Sequence, residues 1–570
     1  MQNRIKRGMP AAVLAIVLVI GIVLGTQVRD GITAEPAVES LAKVQEAFNF
    51  ISRNYVERVD SAQLAEDAIL GMLKGLDPHS IYISAEDMRR VRENFEASFE
   101  GVGIYYEFLP GPEGRDTLAV LMPIEGGPSE EAGLMPGDRI IEVEDSSAIG
   151  WSTADVERYL KGPANTTVDV RVRRAGHDRL LNFTITRDQI PLHSITASHM
   201  VDERTGYIRL SRFARTSYDE FMRAMRQLEA QGMERLVFDL RDNAGGLMDM
   251  AVRITDEFLP AGDLIVYTQS RRGNYNQEYR ARSGGSFEDK PLIVLVNENS
   301  ASASEIVAGA LQDHDRALVV GRRTFGKGLV QQQFPVSDGS VLQMTISRYY
   351  TPAGRLIQTP YKRGADEASY YAAKVDLLRQ DFDRLAQERG AVPASQMVVD
   401  LADSLRFRTD AGRIVYGGGG ILPDWLVAAD TASAALRTVI ARNLDNEFAR
   451  QYLDGRGQHL REQWNGRQQD FLRNYVVEDA TFRAFLDFAE TRGVPVLDVR
   501  PEDEDDDYLL RVQVLDARPE IEARMKAFIA RRLYGIEAWY PVVQTIDRTF
   551  QEALRLWPEA HELAVNSPRR

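Results

Sequence analysis

The apolar positions of this chain change period along its length, and each change predicts a different kind of element. Leu41, Val44, Phe48 and Ile51 share one helical face, as do Leu64, Ala68, Met72 and Leu76, so residues 36–95 read as helices closed by the turn Leu76-Asp77-Pro78-His79-Ser80. From 96 to 188 the pattern shortens to strands and turns: Leu118–Met122, Val168–Val172 and Leu181–Thr186, with one helical stretch at Ala154–Leu160. After Gly206 strands and helices alternate. Arg235–Leu240 is a strand, Met248–Leu259 a helix, Leu264–Thr268 a strand, Leu292–Val296 a buried strand, and Ile306, Val307, Ala310 and Leu311 mark the next helix. Strand Ala317–Val320 follows, and Asp338-Gly339 joins Gln331–Val336 to Val341–Tyr349 as a hairpin. From Thr431 onward the pattern is helical, with aromatic faces such as Phe482, Phe485 and Phe488 and one acidic, solvated run at Pro501–Asp507. The expected divisions are 1–35, 36–95, 96–188, 189–430 and 431–570.

Composition narrows the picture by exclusion. The 570 residues carry 44% hydrophobic and 27% charged side chains, ordinary for several globular domains. A net charge of −15 argues against a nucleic-acid partner, which needs a basic face. With no cysteine, disulfides, zinc–thiolate sites and a cysteine nucleophile are excluded. Arg4, Lys6 and Arg7 precede the apolar run Ala11–Leu24, the layout of an export signal. No clear small-residue cleavage site follows, so the expectation is an exported chain, periplasmic or in the cell envelope, anchored by this segment, with a cleaved signal as the alternative.

The chemistry gathers at Pro291–Gln331. Ser302, followed three residues later by Glu305, fits a capping box at a helix start. The turn Gly321–Lys327 satisfies most of a phosphate-loop pattern, but Gly328 stands where a magnesium-binding hydroxyl belongs and Leu329–Phe334 reads as a strand where that motif needs a helix. The turn is then expected to present the Lys327 side chain. A serine becomes a nucleophile only when a base takes its proton, and a neutral lysine is one such base. The turn Asp242–Gly246, placed at the same end of the sheet, brings two glycines that permit close approach. The other candidates have structural readings. His79 fits a polar turn, His314 fits a helix end facing the last carbonyls, and Asp239 with Asp242 fits a strand and its turn.

The pattern G-G-P-S-E-E-A-G-L-M-P-G-D-R-I from Gly126 resembles that of a PDZ domain, which captures the carboxylate of a peptide's C-terminus. Together with Phe238–Gly246 (F-D-L-R-D-N-A-G-G), Ser300–Ile306 (S-A-S-A-S-E-I) and Thr324–Gln331 (T-F-G-K-G-L-V-Q), it resembles the C-terminal processing, or tail-specific, protease family over about residues 36–430. The resemblance implies a multidomain α/β chain: a crotonase-like protease core with an inserted PDZ domain, N-terminal helices, and a helical C-terminal extension outside the common pattern. It implies Ser302 as nucleophile, Lys327 as general base and Gln331 as the group orienting it. Oxyanion amides would come from Ala303 and from Gly245 or Gly246, and the tail would bind at Gly101, Val102, Gly103 and Ile104. No metal or cofactor is implied. The expected partners are protein or peptide substrates held by their C-terminal tails, an adaptor or regulator, and further copies of the chain.

Overall fold

The computed structural model describes residues 35–110, 116–124, 126–174, 176–282, 284–362, 370, 390–396, 403–430, 432–500 and 508–566. The described residues fall into two compact units, residues 35–82 and those from residue 83 onward. In the first, α1 (Glu35–Asn54) is followed by α2 (Ser61–Leu73). The Asp60 side chain starts α2 by accepting from the Ala62 amide at 2.8 Å. Leu41, Val44 and Ile51 on α1 stay exposed, an apolar face without cover among the described residues. In the turn that closes the unit, Asp77 accepts from the His79 amide and the Ser80 hydroxyl, at 3.0 and 2.7 Å. The basic and apolar segment before Glu35 and the acidic run Pro501–Asp507 lie outside the described residues. Among the described residues no helix is long and apolar enough to cross a membrane.

The second unit opens with α3 (Ala85–Glu96), then β1 (Ser98–Gly101), β2 (Ile104–Pro110), β3 (Asp116–Pro123) and β4 (Arg139–Val143). After α4 (Thr153–Leu160) come β5 (Thr167–Arg173), β6 (Leu181–Thr186) and β7 (Asp188–Pro191). Strands β2-β3-β4-β5-β6 make one antiparallel sheet with β2 at its edge, and β1 pairs with β7. The alternation seen in the sequence decides what faces in: Val168, Val170 and Val172 pack with Leu118, Val120, Ile140, Val156 and Leu160 in a small core. This is the architecture expected of the inserted PDZ domain.

The main sheet is built from β8 (Ile195–Met200), β9 (Thr205–Leu210), β10 (Arg235–Asp239), β13 (Leu292–Val296), β14 (Leu318–Gly321), β17 (Val392–Pro393) and β18 (Trp425–Leu426). Among the described residues its order is β8-β9-β10-β13-β14-β18-β17, parallel from β9 through β18. A second sheet joins β11 (Leu264–Gln269), β12 (Gln277–Arg280), β15 (Leu329–Pro335) and β16 (Val341–Tyr350), with β15 and β16 forming the expected hairpin. Helices α5 (Ser217–Ala230), α6 (Met248–Asp256) and α7 (Ala303–Asp313) cover one face of the main sheet through Phe221, Met225, Ile254, Val307 and Leu311.

A parallel sheet needs cover on both faces. The C-terminal extension supplies the second layer. Its helices α8 (Leu444–Asp454), α9 (Asp479–Thr491) and α10 (Arg518–Tyr534) share a core of their own around Phe448, Phe485, Ile521 and Ile529. After α11 (Trp539–Val543), α12 (Arg548–Arg555) and α13 (Trp557–Asn566) lay Phe550, Ala553, Leu556, Trp557 and Ala560 against Tyr207, Val237, Ile293, Leu295 and Val320 of the main sheet. Arg532 at the end of α10 also reaches Glu107 on β2, at 3.2 Å from both carboxylate oxygens, and Asn446 on α8 at 2.9 Å.

Candidate active site

Ser302 sits between β13 and α7 with φ 54° and ψ −110°, away from the extended conformation that a capping residue normally adopts. Such a conformation persists only when its surroundings over-determine it, and the turn after β10 does so. The Asp242 carboxylate accepts from the Asn297 and Asn299 side-chain amides at 2.8 and 3.0 Å, and the Asp242 amide donates to Asn297 Oδ1 at 2.9 Å. The Asn243 carbonyl takes the Ala301 amide (3.0 Å) and the Ser304 hydroxyl (2.8 Å).

The capping-box expectation holds in its acidic half and extends further. Glu305 accepts from the Ser302 amide at 2.8 Å. The same fully buried carboxylate also accepts from the Lys327 amide (2.9 Å), the Gly326 amide (2.7 Å) and the Thr324 hydroxyl (2.6 Å). Burial raises its pKa above the ordinary carboxylate value, and these donors oppose the rise. The glycine turn therefore spends its amides on Glu305, not on phosphate, and continues directly into β15 as a strand. Tyr349 adds a second tie: its hydroxyl lies against the carbonyls of both Ser302 (3.1 Å) and Lys327. Burial and the nearby Glu305 carboxylate push that phenol well above its usual pKa. Lys327 Nζ donates to Gln331 Oε1 at 2.8 Å, and Gln343 Nε2 donates to the same oxygen at 3.2 Å. Lys327 precedes β15 and Gln331 lies within it, so the amine meets a neutral amide oxygen where a carboxylate would bring a charge.

The two glycines expected to supply an oxyanion amide differ in their bonding. The Gly245 amide donates to Asn243 Oδ1 at 2.9 Å. Among the described residues, the amides of Gly246 and Ala303 have no acceptor. A Cβ on Gly245 would lie 2.8 Å from Ser302 Cβ and 3.0 Å from the Ala303 nitrogen, and one on Gly246 would lie 2.1 Å from the Phe213 carbonyl oxygen. Both positions thus exclude a side chain: Gly245 lies against the start of α7, where the helix dipole is positive, and Gly246, next in the chain, lies against the Phe213 main chain. At the PDZ loop, Gly103 has φ 74° and, among the described residues, its amide likewise lacks an acceptor, while Gly101 is bridged to Lys161 at the end of α4. Beside them run the half-buried Ile104, Tyr106 and Phe108 of edge strand β2, opposite Val156 and Leu160 of α4.

The remaining candidates have structural work. Asp239, fully buried, accepts from the Tyr207 hydroxyl (2.7 Å), Arg209 (3.3 Å) and Arg241 (2.7 Å). Burial alone would raise its pKa, but the two guanidiniums and these hydrogen bonds hold it at about 2. Because this folded value is depressed, Asp239 adds stability above its unfolded pKa of about 3.9, and that contribution fades as the pH falls toward 2. The expected contribution is about 2 kcal/mol. Urea unfolding at a series of pH values checks it: the gap between wild type and Asp239→Asn should narrow between about pH 4 and pH 2. His314 caps α7, but its ring points elsewhere than expected, to Asp410 (2.8 Å) and the Leu264 carbonyl (2.7 Å), because these long-range partners lie beside the helix end. Glu305's reach to Lys327 and Tyr349's double contact were not legible from spacing. Glu305 had only its box position as a signal, and Tyr349 had none.

Several stretches of the chain match known families. Residues 204–363 match the family model described as peptidase family S41, residues 120–174 a PDZ domain, and residues 25–87 the activating protease CtpB N-terminal domain. Residues 435–535 match a family of unknown function, DUF8443. A carboxy-terminal-processing protease of Bartonella bacilliformis is 36% identical over 324 residues, covering 56% of this chain and 73% of that protein. A carboxyl-terminal-processing protease of Synechocystis sp. is 37% identical over 320 residues, covering 54% and 73%. Among solved structures, a photosystem II D1 C-terminal processing protease is 30% identical, with 55% of this chain and 89% of that chain covered and a TM-score of 0.31.

Proposed function

Because the chain belongs to the carboxy-terminal processing proteases of peptidase family S41, we propose that it is a serine endopeptidase whose Ser302 and Lys327 form the catalytic dyad. The observation that carries this reading is the Glu305 carboxylate, which ties the Ser302 amide and the Lys327 amide to one buried anchor, at 2.8 and 2.9 Å. In the proposed reaction the amine of Lys327, oriented by Gln331, takes the Ser302 hydroxyl proton as Oγ attacks the scissile carbonyl. The oxyanion is received by the unpartnered Ala303 and Gly246 amides, with Gly245 holding the turn in place. Lys327 then returns the proton to the leaving amine, and water enters to release the acyl group from Ser302.

Substrate choice falls to the PDZ domain. The Gly103 amide suits a terminal carboxylate, and the apolar side chains of β2 and α4 beside it suit apolar last residues. Cleavage of a peptide with an apolar C-terminus tests this reading. The free acid should be cut efficiently, whereas the amidated peptide should show a KM raised by about tenfold with kcat little changed. Equal kinetics for the two would remove the tail-binding role, and absence of cleavage would remove the endopeptidase. The exposed apolar face of α1 supports assembly with further copies of the chain, and the basic and apolar N-terminal segment supports export with membrane attachment in the periplasm or cell envelope.

A further inference from the structure

The turn that carries Gly246 is anchored from outside the protease motifs. Arg241, the residue before Asp242, lies with one edge of its guanidinium on Asp239 and the other on Asp547, the residue that starts α12 in the C-terminal extension. Its Nη1 donates to Asp547 Oδ1 at 2.9 Å, and its Nη2 is 2.7 Å from Oδ2. Arg209 completes the base of the turn by donating to the Arg241 carbonyl (3.2 Å) and the Asp242 carboxylate (3.1 Å), and the ring of Tyr540 in α11 lies 5.7 Å from its guanidinium. The Arg241 side chain is 12% exposed, so the edge facing Asp547 has little water to fall back on. A buried guanidinium keeps one position only when both edges are matched by acceptors.

We propose that the C-terminal extension is a working part of the catalytic core: Asp547 is a positioning residue that fixes Arg241 and, through it, the Asp242–Gly246 turn and its oxyanion amide. This rests on the reading of Ser302 as nucleophile and Gly246 as an oxyanion donor. Asp547 also caps α12 by accepting from the Phe550 amide at 2.9 Å. Asparagine and serine cap as well as aspartate, so Asp547→Asn and Asp547→Ser remove the charge while leaving the helix start intact. In the full-length protein, turnover per titrated active site should fall about tenfold in both variants with KM changed less than about twofold. Affinity for a peptide boronic acid, which binds serine as a tetrahedral adduct, should fall in parallel. Arg241→Gln should cause a similar loss, and the double variant with Asp547→Asn should lose little more than either alone. Unchanged turnover in both Asp547 variants while Ser302→Ala is inactive overturns the inference. So does a loss that follows melting temperature alone, with normal turnover per titrated site. Turnover surviving in Ser302→Ala overturns the reading beneath it instead.

Discussion

Ser302→Ala will reduce peptide cleavage by about a thousandfold or more while the protein stays folded and still binds a peptide with a free C-terminus. Alanine removes only the hydroxyl, and none of the bonds that shape the loop depends on it. The Ser302 amide still reaches Glu305, its carbonyl still receives Tyr349, and the Ala303 amide still opens α7. Lys327→Ala should be as damaging, since the backbone bond to Glu305 survives while the amine beside Gln331 is lost. The two losses will not add, because either one alone already disables the proton transfer. Steady-state hydrolysis by the single and double variants, with circular dichroism as the folding control, measures this. Wild-type rates in either single variant would sink the dyad.

Glu305→Gln should reduce both stability and activity. The carboxylate accepts four hydrogen bonds at a site with no exposure, from the main chain at Ser302, Gly326 and Lys327 and from the Thr324 hydroxyl. Glutamine fills the same volume but turns an NH2 toward donors that need an acceptor, so at least one buried amide is left without a partner. The expected cost is about 3 kcal/mol in urea unfolding. Because Ser302 and Lys327 would no longer share an anchor, kcat should fall about a hundredfold, the scale associated with misplacing a catalytic group by about 1 Å. Thr324→Val leaves the three amides on Glu305 but also orphans the Ile421 amide that donates to Thr324 Oγ1 at 2.6 Å, so it should cost comparable stability and far less activity. A Glu305→Gln protein with normal turnover would show that the shared anchor is not what sets the dyad's geometry.

The extension illustrates where reading along the chain stops. Its aromatic-rich helical period correctly announces helices, and Phe485 and Phe488 do face a shared core. Nothing in that period indicates that Phe550 and Trp557 belong instead to the back of the protease sheet, or that Asp547 meets Arg241 across 306 positions of sequence. Position 547 on its own is an ordinary helix cap. Likewise, Gly245 and Gly246 are equivalent in the motif, and only the fold of Asn243 back onto the Gly245 amide distinguishes them.

By itself the sequence determined the order and kind of the elements, the chemistry available at Ser302, Lys327 and Gln331, and the absence of a phosphate loop. Each of these depends on residues a few positions apart, where period, turn chemistry and reach are set by covalent geometry. Only the tertiary structure decided which amides remain without an acceptor, how one carboxylate at Glu305 joins two loops, and that Asp547 near the far end of the chain meets Arg241 beside the Asp242–Gly246 turn. Those outcomes depend on contacts between segments distant in sequence. Burial then fixes them, since a polar group removed from water must find its partner wherever the fold brings one.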